Sequence, residues 1–82
     1  MRIAVDISLY PLQEDLIPPI ADVIERLKSY DGLYVDTNAM STQIRGEYDD
    51  VMALLNGEIK TTFENLPKAV FVMKILNNPI AD

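Results

Sequence analysis

Ile3-Ala4-Val5-Asp6-Ile7-Ser8-Leu9-Tyr10 alternates aliphatic residues with small, polar or aromatic ones and never breaks phase. Successive strand side chains point to opposite faces, so a period of two reads as a β-strand. One face is wholly aliphatic, made of Ile3, Val5, Ile7 and Leu9. The other presents Ala4, Asp6, Ser8 and Tyr10. Pro11 cannot donate to a ladder, so a loop through about Asp15 follows. The aliphatic face needs a cover, and the next segment supplies one. Leu16, Ile20, Val23, Ile24, Leu27 and Tyr30 recur at helical spacing. Pro18 and Pro19 fit only a first turn, which predicts a helix core over about 18–30. Asp31-Gly32 ends it, with Gly32 free to take a left-handed cap.

Farther out, Leu33-Tyr34-Val35-Asp36 and Met40 through Arg45 read as short strands. The turn-like Thr37-Asn38-Ala39 joins them into a hairpin, and Gly46 closes the second strand. A second helix should start near Tyr48 or Asp49, where Glu47, Asp49 and Asp50 suit a helix N-terminus. Val51, Met52, Leu55, Ile59, Thr62, Phe63 and Leu66 carry its apolar phase to Asn65-Leu66-Pro67. Asn56-Gly57 is a turn signal inside that stretch. The phase continues across it, so one helix is expected, with the glycine costing about 1 kcal/mol. Ala69 through Leu76 is a nearly unbroken apolar run that predicts a strand buried on both faces, ended by Asn77-Asn78-Pro79.

The order is therefore β-α-β-β-α-β. Right-handed crossovers fold it into an α+β, ferredoxin-like sandwich: a four-stranded antiparallel sheet with two helices on one face. Residues 1–82 read as one domain. A chain of 82 residues has no third layer for the second sheet face, so a partner subunit is expected there, as a homodimer or homotetramer.

Composition narrows the function. Seven Lys+Arg stand against 13 Asp+Glu, a net charge of -6, which counts against a nucleic-acid binder. There is no Cys, His or Trp, which removes thiolate nucleophiles, disulfides, thiolate or histidine metal ligands and histidine bases. No apolar run approaches the ~20 residues that span a bilayer, and Asp6 comes too early for a signal peptide, so no membrane partner and a cytoplasmic location are expected. The glycines at 32, 46 and 57 are dispersed and make no phosphate loop. Ser8, Ser41 and Thr42 lack a histidine partner or a nearby lysine in sequence, so they read as strand hydroxyls rather than nucleophiles. Glu47, Asp49 and Asp50 match no calcium-loop spacing and read as helix-start acids. The expectation is no catalytic residue, no metal and no cofactor.

Two motifs carry a family resemblance. Ile7-Ser8-Leu9-Tyr10-Pro11-Leu12, followed by Met40-Ser41-Thr42-Gln43-Ile44-Arg45-Gly46-Glu47-Tyr48-Asp49-Asp50-Val51-Met52, resembles the thiamine-binding, YkoF-like family of small ferredoxin-like proteins. The likeness covers nearly the whole chain in the same element order. It departs where Ala39 to Thr42 replaces a glycine-bearing turn and where Tyr48 stands in place of a common Trp. The resemblance implies a non-enzymatic binder of thiamine or its hydroxymethylpyrimidine part, built as an oligomer.

The residue chemistry suits such a ligand, a flat aminopyrimidine joined to a cationic thiazolium. Ser8, Asn38 and Thr42 are short polar groups able to read ring nitrogens or an amino group. Tyr10, Met40 and Tyr48 supply flat or adaptable walls. Asp6, on the Ser8 face of its strand, can offset a cation. Each also has a packing explanation. Tyr10 can seal the sheet edge, Tyr48 can staple a helix, Met40 can fill core, and Thr42 is a good strand former. The competing function is a structural or regulatory oligomerisation module that uses the open sheet face. An enzyme working by carboxylates alone would need an acid with a strongly raised pKa in a cleft.

Overall fold

A computed structural model of the chain describes residues 1–79. Its elements are β1 (Arg2–Pro11), α1 (Ile17–Lys28), β2 (Tyr34–Thr37), β3 (Thr42–Glu47), α2 (Tyr48–Asn65) and β4 (Ala69–Asn77). The four strands form one antiparallel sheet in the order β2-β3-β1-β4, the α+β, ferredoxin-like arrangement with two helices. β1 lies between β3 and β4, so the alternation that opens the sequence sets the centre of the sheet.

The aliphatic face of β1 packs as its pattern requires. Ile3, Val5 and Ile7 are buried with Ile44 of β3, Val23 and Leu27 of α1, and Val51, Leu54 and Leu55 of α2. Leu9, Leu33, Val35, Met52, Ile59, Phe71 and Met73 pack against this core while half-exposed or better covered.

α1 stops at Lys28 rather than near residue 30, because Ser29 turns back on the helix. Its N–H and its hydroxyl both donate to the Arg26 carbonyl, at 3.1 and 2.6 Å. Gly32 then takes a φ of +81°, a conformation that costs any residue with a Cβ. α2 runs unbroken through Asn56-Gly57. Its first N–H, that of Tyr48, donates to the Met1 carbonyl at 2.8 Å. Between the helices, Glu58 is buried and fully engaged. Arg26 donates through Nε at 2.7 Å, and the Tyr30 hydroxyl donates at 3.1 Å. Arg26 also reaches the Thr62 hydroxyl at 3.3 Å.

Two boundaries differ from the pattern expected from sequence. The hairpin turn falls at residues 38–41, starting one residue and ending two residues later than the turn signal suggests. Thr37 belongs to β2, while Met40 and Ser41 are drawn into the turn by their N–H bonds to Asn38 Oδ1. The second correction concerns β4, which is not buried on both faces. β4 is an edge strand, and the helices lie on one side of the sheet only. Phe71 and Met73 are partly covered there, while Val70, Val72 and Leu76 on the opposite face stay 45–57% exposed. Asp82, Ala81 and Ile80 of the expected single domain lie outside the described residues.

Two outcomes test this packing. A Cβ at Gly57 would meet nothing within 4 Å, so Gly57→Ala should add about 0.5–1 kcal/mol in urea unfolding by removing unfolded-state freedom from a mid-helix position. The Tyr30 hydroxyl should ionise above the usual tyrosine range, because its bond to Glu58, partial burial and the Glu58 charge all favour the neutral phenol. A folded pKa raised above the unfolded one gives stability that is complete below the ordinary value of about 10 and lost as pH rises through the folded value. Ultraviolet titration should therefore show Tyr30 ionising late, and Tyr30→Phe should flatten the alkaline loss of stability.

Candidate functional site

β1 and β3 pair from Arg2 opposite Glu47 to Ile7 opposite Thr42, and no farther. β1 and β4 pair from Ile3 to Pro11. For its last four residues β1 therefore has a sheet neighbour on one side only. The β3 flank of Ser8 through Pro11 opens into a gap, and backbone polar groups along it lack ladder partners. The tip of the β2–β3 hairpin stands across this gap, and the first turns of α1 roof it.

The gap is a cavity of about 440 Å³, inside the ~300–1,000 Å³ range of small-molecule sites. Its walls come from three directions. β1 and the residue after it contribute Ile7 to Leu12, the hairpin contributes Thr37 to Thr42, and the N-cap Leu16 with Ile20, Val23, Ile24 and Leu27 of α1 forms the third wall. Phe71 of β4 completes the apolar lining. The polar groups are all neutral: Ser8, Thr37, Asn38, Ser41 and Thr42, with the Tyr10 phenol. No Asp, Glu, Lys or Arg lines the cavity among the described residues.

The hairpin tip is held by a compact set of bonds. Asn38 Oδ1 accepts the N–H groups of Met40 and Ser41 at 2.8 and 3.0 Å, and its own N–H donates to the Ser41 carbonyl at 3.0 Å. The Ser8 hydroxyl donates to the Met40 carbonyl at 3.4 Å, a tether across the gap. The Ser41 hydroxyl donates to Asp6 Oδ1, and Lys74 Nζ sits 3.5 Å from Asp6 Oδ2. The Thr37 and Thr42 hydroxyls lie 3.0 Å apart as a cross-strand pair on the core-facing side. A hydroxyl pair of this kind donates one proton internally and keeps the other, with spare lone pairs, for a ligand.

The residues expected from sequence fall into three groups. Ser8, Tyr10, Asn38, Met40 and Thr42 converge on the cavity. Asp6 lies just outside it, held by Ser41 and Lys74, and is joined to the lining through the Ser41 hydroxyl. Tyr48 does not join them. It begins α2 beside Met1, at the start of β1, while the cavity lies at the end of β1, about 20 Å away at strand rise. Thr37 and Ser41 are lining residues that the pattern did not single out. Thr37 could have been found as the partner of Thr42 once the hairpin register was known. Leu16, Ile20 and Ile24 looked like core in the helical stripe, and the overrun of β1 is what turns them toward a cavity.

Comparison with known proteins agrees with the fold. The model of a family described as thiamine-binding protein matches residues 5–79. A Streptococcus pneumoniae protein superposes with a TM-score of 0.88 at 21% identity, over 98% of this chain and 90% of that one. A Thermotoga maritima protein described as a candidate thiamine biosynthesis/salvage protein gives 0.85 at 21% identity, over 95% and 85%. A Methanocaldococcus jannascii protein of unassigned function gives 0.81 at 25% identity, over 99% and 84%. No curated protein matches the sequence.

Removing the Asn38 side-chain acceptor frees two backbone N–H groups at the tip. Asn38→Ala should cost about 1–2 kcal/mol in chemical unfolding and speed hydrogen exchange at residues 38–41 while β1 amides stay protected.

Proposed function

The chain belongs to the thiamine-binding protein family, and we propose that it is a non-enzymatic binder of thiamine or its hydroxymethylpyrimidine moiety. The observation that carries this reading is the convergence of Ser8, Asn38, Thr37 and Thr42 with apolar walls in one cavity of about 440 Å³. An aminopyrimidine is flat and offers both donors and acceptors at its edge. Neutral hydroxyl and amide groups can answer either kind, and an apolar slot accepts the ring faces. Tyr10 and Met40 stand at the rim, 53% and 85% exposed, where a ligand would cover them. Asp6 sets the hairpin through Ser41, its charge being paired with Lys74.

Catalysis finds no support in the site. Among the described residues the lining holds no acidic or basic side chain; the Ser8 hydroxyl bonds to backbone, Thr37 and Thr42 bond to one another, and Ser41 bonds to Asp6 outside the cavity. We take the working unit to be a homodimer or homotetramer. Support comes from the open sheet face, where Val70, Val72 and Leu76 of β4 stand exposed beside Tyr10. The same exposed row favours the second reading, an oligomerisation module whose cavity carries no ligand.

Isothermal titration with thiamine and with hydroxymethylpyrimidine separates the two. Binding should be measurable, and Thr42→Val and Ser8→Ala should each weaken it by about 5- to 30-fold, the loss of one hydrogen bond to a ligand. No heat at millimolar ligand, with the oligomer intact by sedimentation, would leave the module reading.

A further inference from the structure

We infer that the cavity discriminates against phosphate, taking the unphosphorylated ligand and rejecting its phosphate esters; this rests on the ligand class proposed above. Three independent features point the same way. First, the lining carries no Lys or Arg among the described residues. A phosphate monoester brings about −1.5 to −2 charges at neutral pH, and an unpaired charge at an apolar wall is costly. Cations elsewhere in this half of the fold are already placed. Arg26 is bonded to Glu58 at 2.7 Å, and Lys74 is 3.5 Å from Asp6. Lys68 binds the Leu12 N–H through its backbone carbonyl but is not among the lining residues.

Second, the opening turn of α1 borders the cavity through Leu16 and Ile20. A helix N-terminus is ordinarily an anion site because its first N–H groups point outward unpaired. Here Pro18 and Pro19 occupy the first turn and have no N–H to offer. The Ile20 N–H is engaged by the Leu16 carbonyl at 3.4 Å. The helix end nearest the ligand has lost most of its power to hold a phosphate.

Third, the loop between the lining residues Leu12 and Leu16 carries Glu14 and Asp15, both exposed. Their field repels an anion and tolerates a cation. A thiazolium or neutral pyrimidine enters without this penalty.

The test is titration of the full chain at low salt with four compounds: thiamine, hydroxymethylpyrimidine, thiamine monophosphate and thiamine diphosphate. Thiamine monophosphate should bind roughly 30-fold or more weakly than thiamine, with the diphosphate weaker still. The variant Glu14→Lys with Asp15→Lys, checked for folding by circular dichroism, should narrow that gap about tenfold while leaving hydroxymethylpyrimidine affinity unchanged. Equal or tighter binding of the phosphate esters overturns the discrimination alone. A gap that the double variant does not narrow overturns the role of the loop acids. Failure of all four compounds to bind overturns the proposed ligand and the discrimination with it, a pattern distinct from equal binding.

Discussion

The structure turns on a mismatch of strand lengths. β1 spans Arg2–Pro11, and β3 spans only Thr42–Glu47. The central strand therefore outlasts its neighbour by four residues, paired on the other side with β4 to Pro11. An antiparallel sheet normally satisfies both flanks of a central strand. Where one flank ends early, backbone groups and the side chains beside them must find water, a loop or a ligand. The chain answers with the hairpin tip and α1, which enclose the overrun without filling it. Core packing and the cavity are thus consecutive stretches of one strand: Ile3 and Val5 are 1% exposed in the core, and Ile7 to Pro11 line the gap.

The polar architecture follows the same division. In the α1–α2 seam, Arg26, Tyr30 and Thr62 gather around or near one buried carboxylate, Glu58. A buried charge is tolerable only when it is paired and hydrogen-bonded, and this one has both. Around the cavity most bonds are neutral and local, within the turn or across a single strand pair, with the Ser8 tether to Met40 and the Ser41 bond to Asp6 joining the tip to β1. The first network joins two helices firmly. The second positions a small hairpin tip that a ligand can adjust without exposing a charge.

Much of this was legible in the sequence because two periodicities were clean. The alternation of residues 3–10 and the helical stripes of α1 and α2 each had one consistent solution, and together they dictate βαββαβ. The apolar phase of α2 correctly outweighed the Asn56-Gly57 signal. The β4 error has a plain cause. An apolar run shows that a strand is apolar on both faces but not that this chain covers both, and with the helices on one side of the sheet Val72 on the other stays 54% exposed. For the site, Ser8, Tyr10, Asn38, Met40 and Thr42 could be grouped because two motifs and a hairpin bring them together. Tyr48 was grouped with them on motif proximity. Six residues of β3 carry the chain from the cavity end to the far end of the sheet before Tyr48 is reached. Thr37 and Ser41 depended on where the hairpin turns, and the Asn38 turn delays the start of β3 by two residues, which composition does not reveal.

The net charge of -6 takes on a different meaning once it is placed. None of the 13 acids lines the cavity among the described residues, so the charge does not act by contact. Asp6 is spent on Ser41 and Lys74, Glu58 on Arg26 and Tyr30, and Glu47 on the N-terminal amine at 3.2 Å. What reaches the cavity is the residual field of exposed acids such as Glu14 and Asp15, which weakens with salt over a Debye length of about 8–10 Å. Inside, the low dielectric of an apolar enclosure strengthens hydrogen bonds from neutral hydroxyls and amides. On the proposed reading, recognition by direct contact and selection by charge are therefore separated in space: the lining would read shape and hydrogen-bond pattern, and the surrounding acids would determine which charges approach.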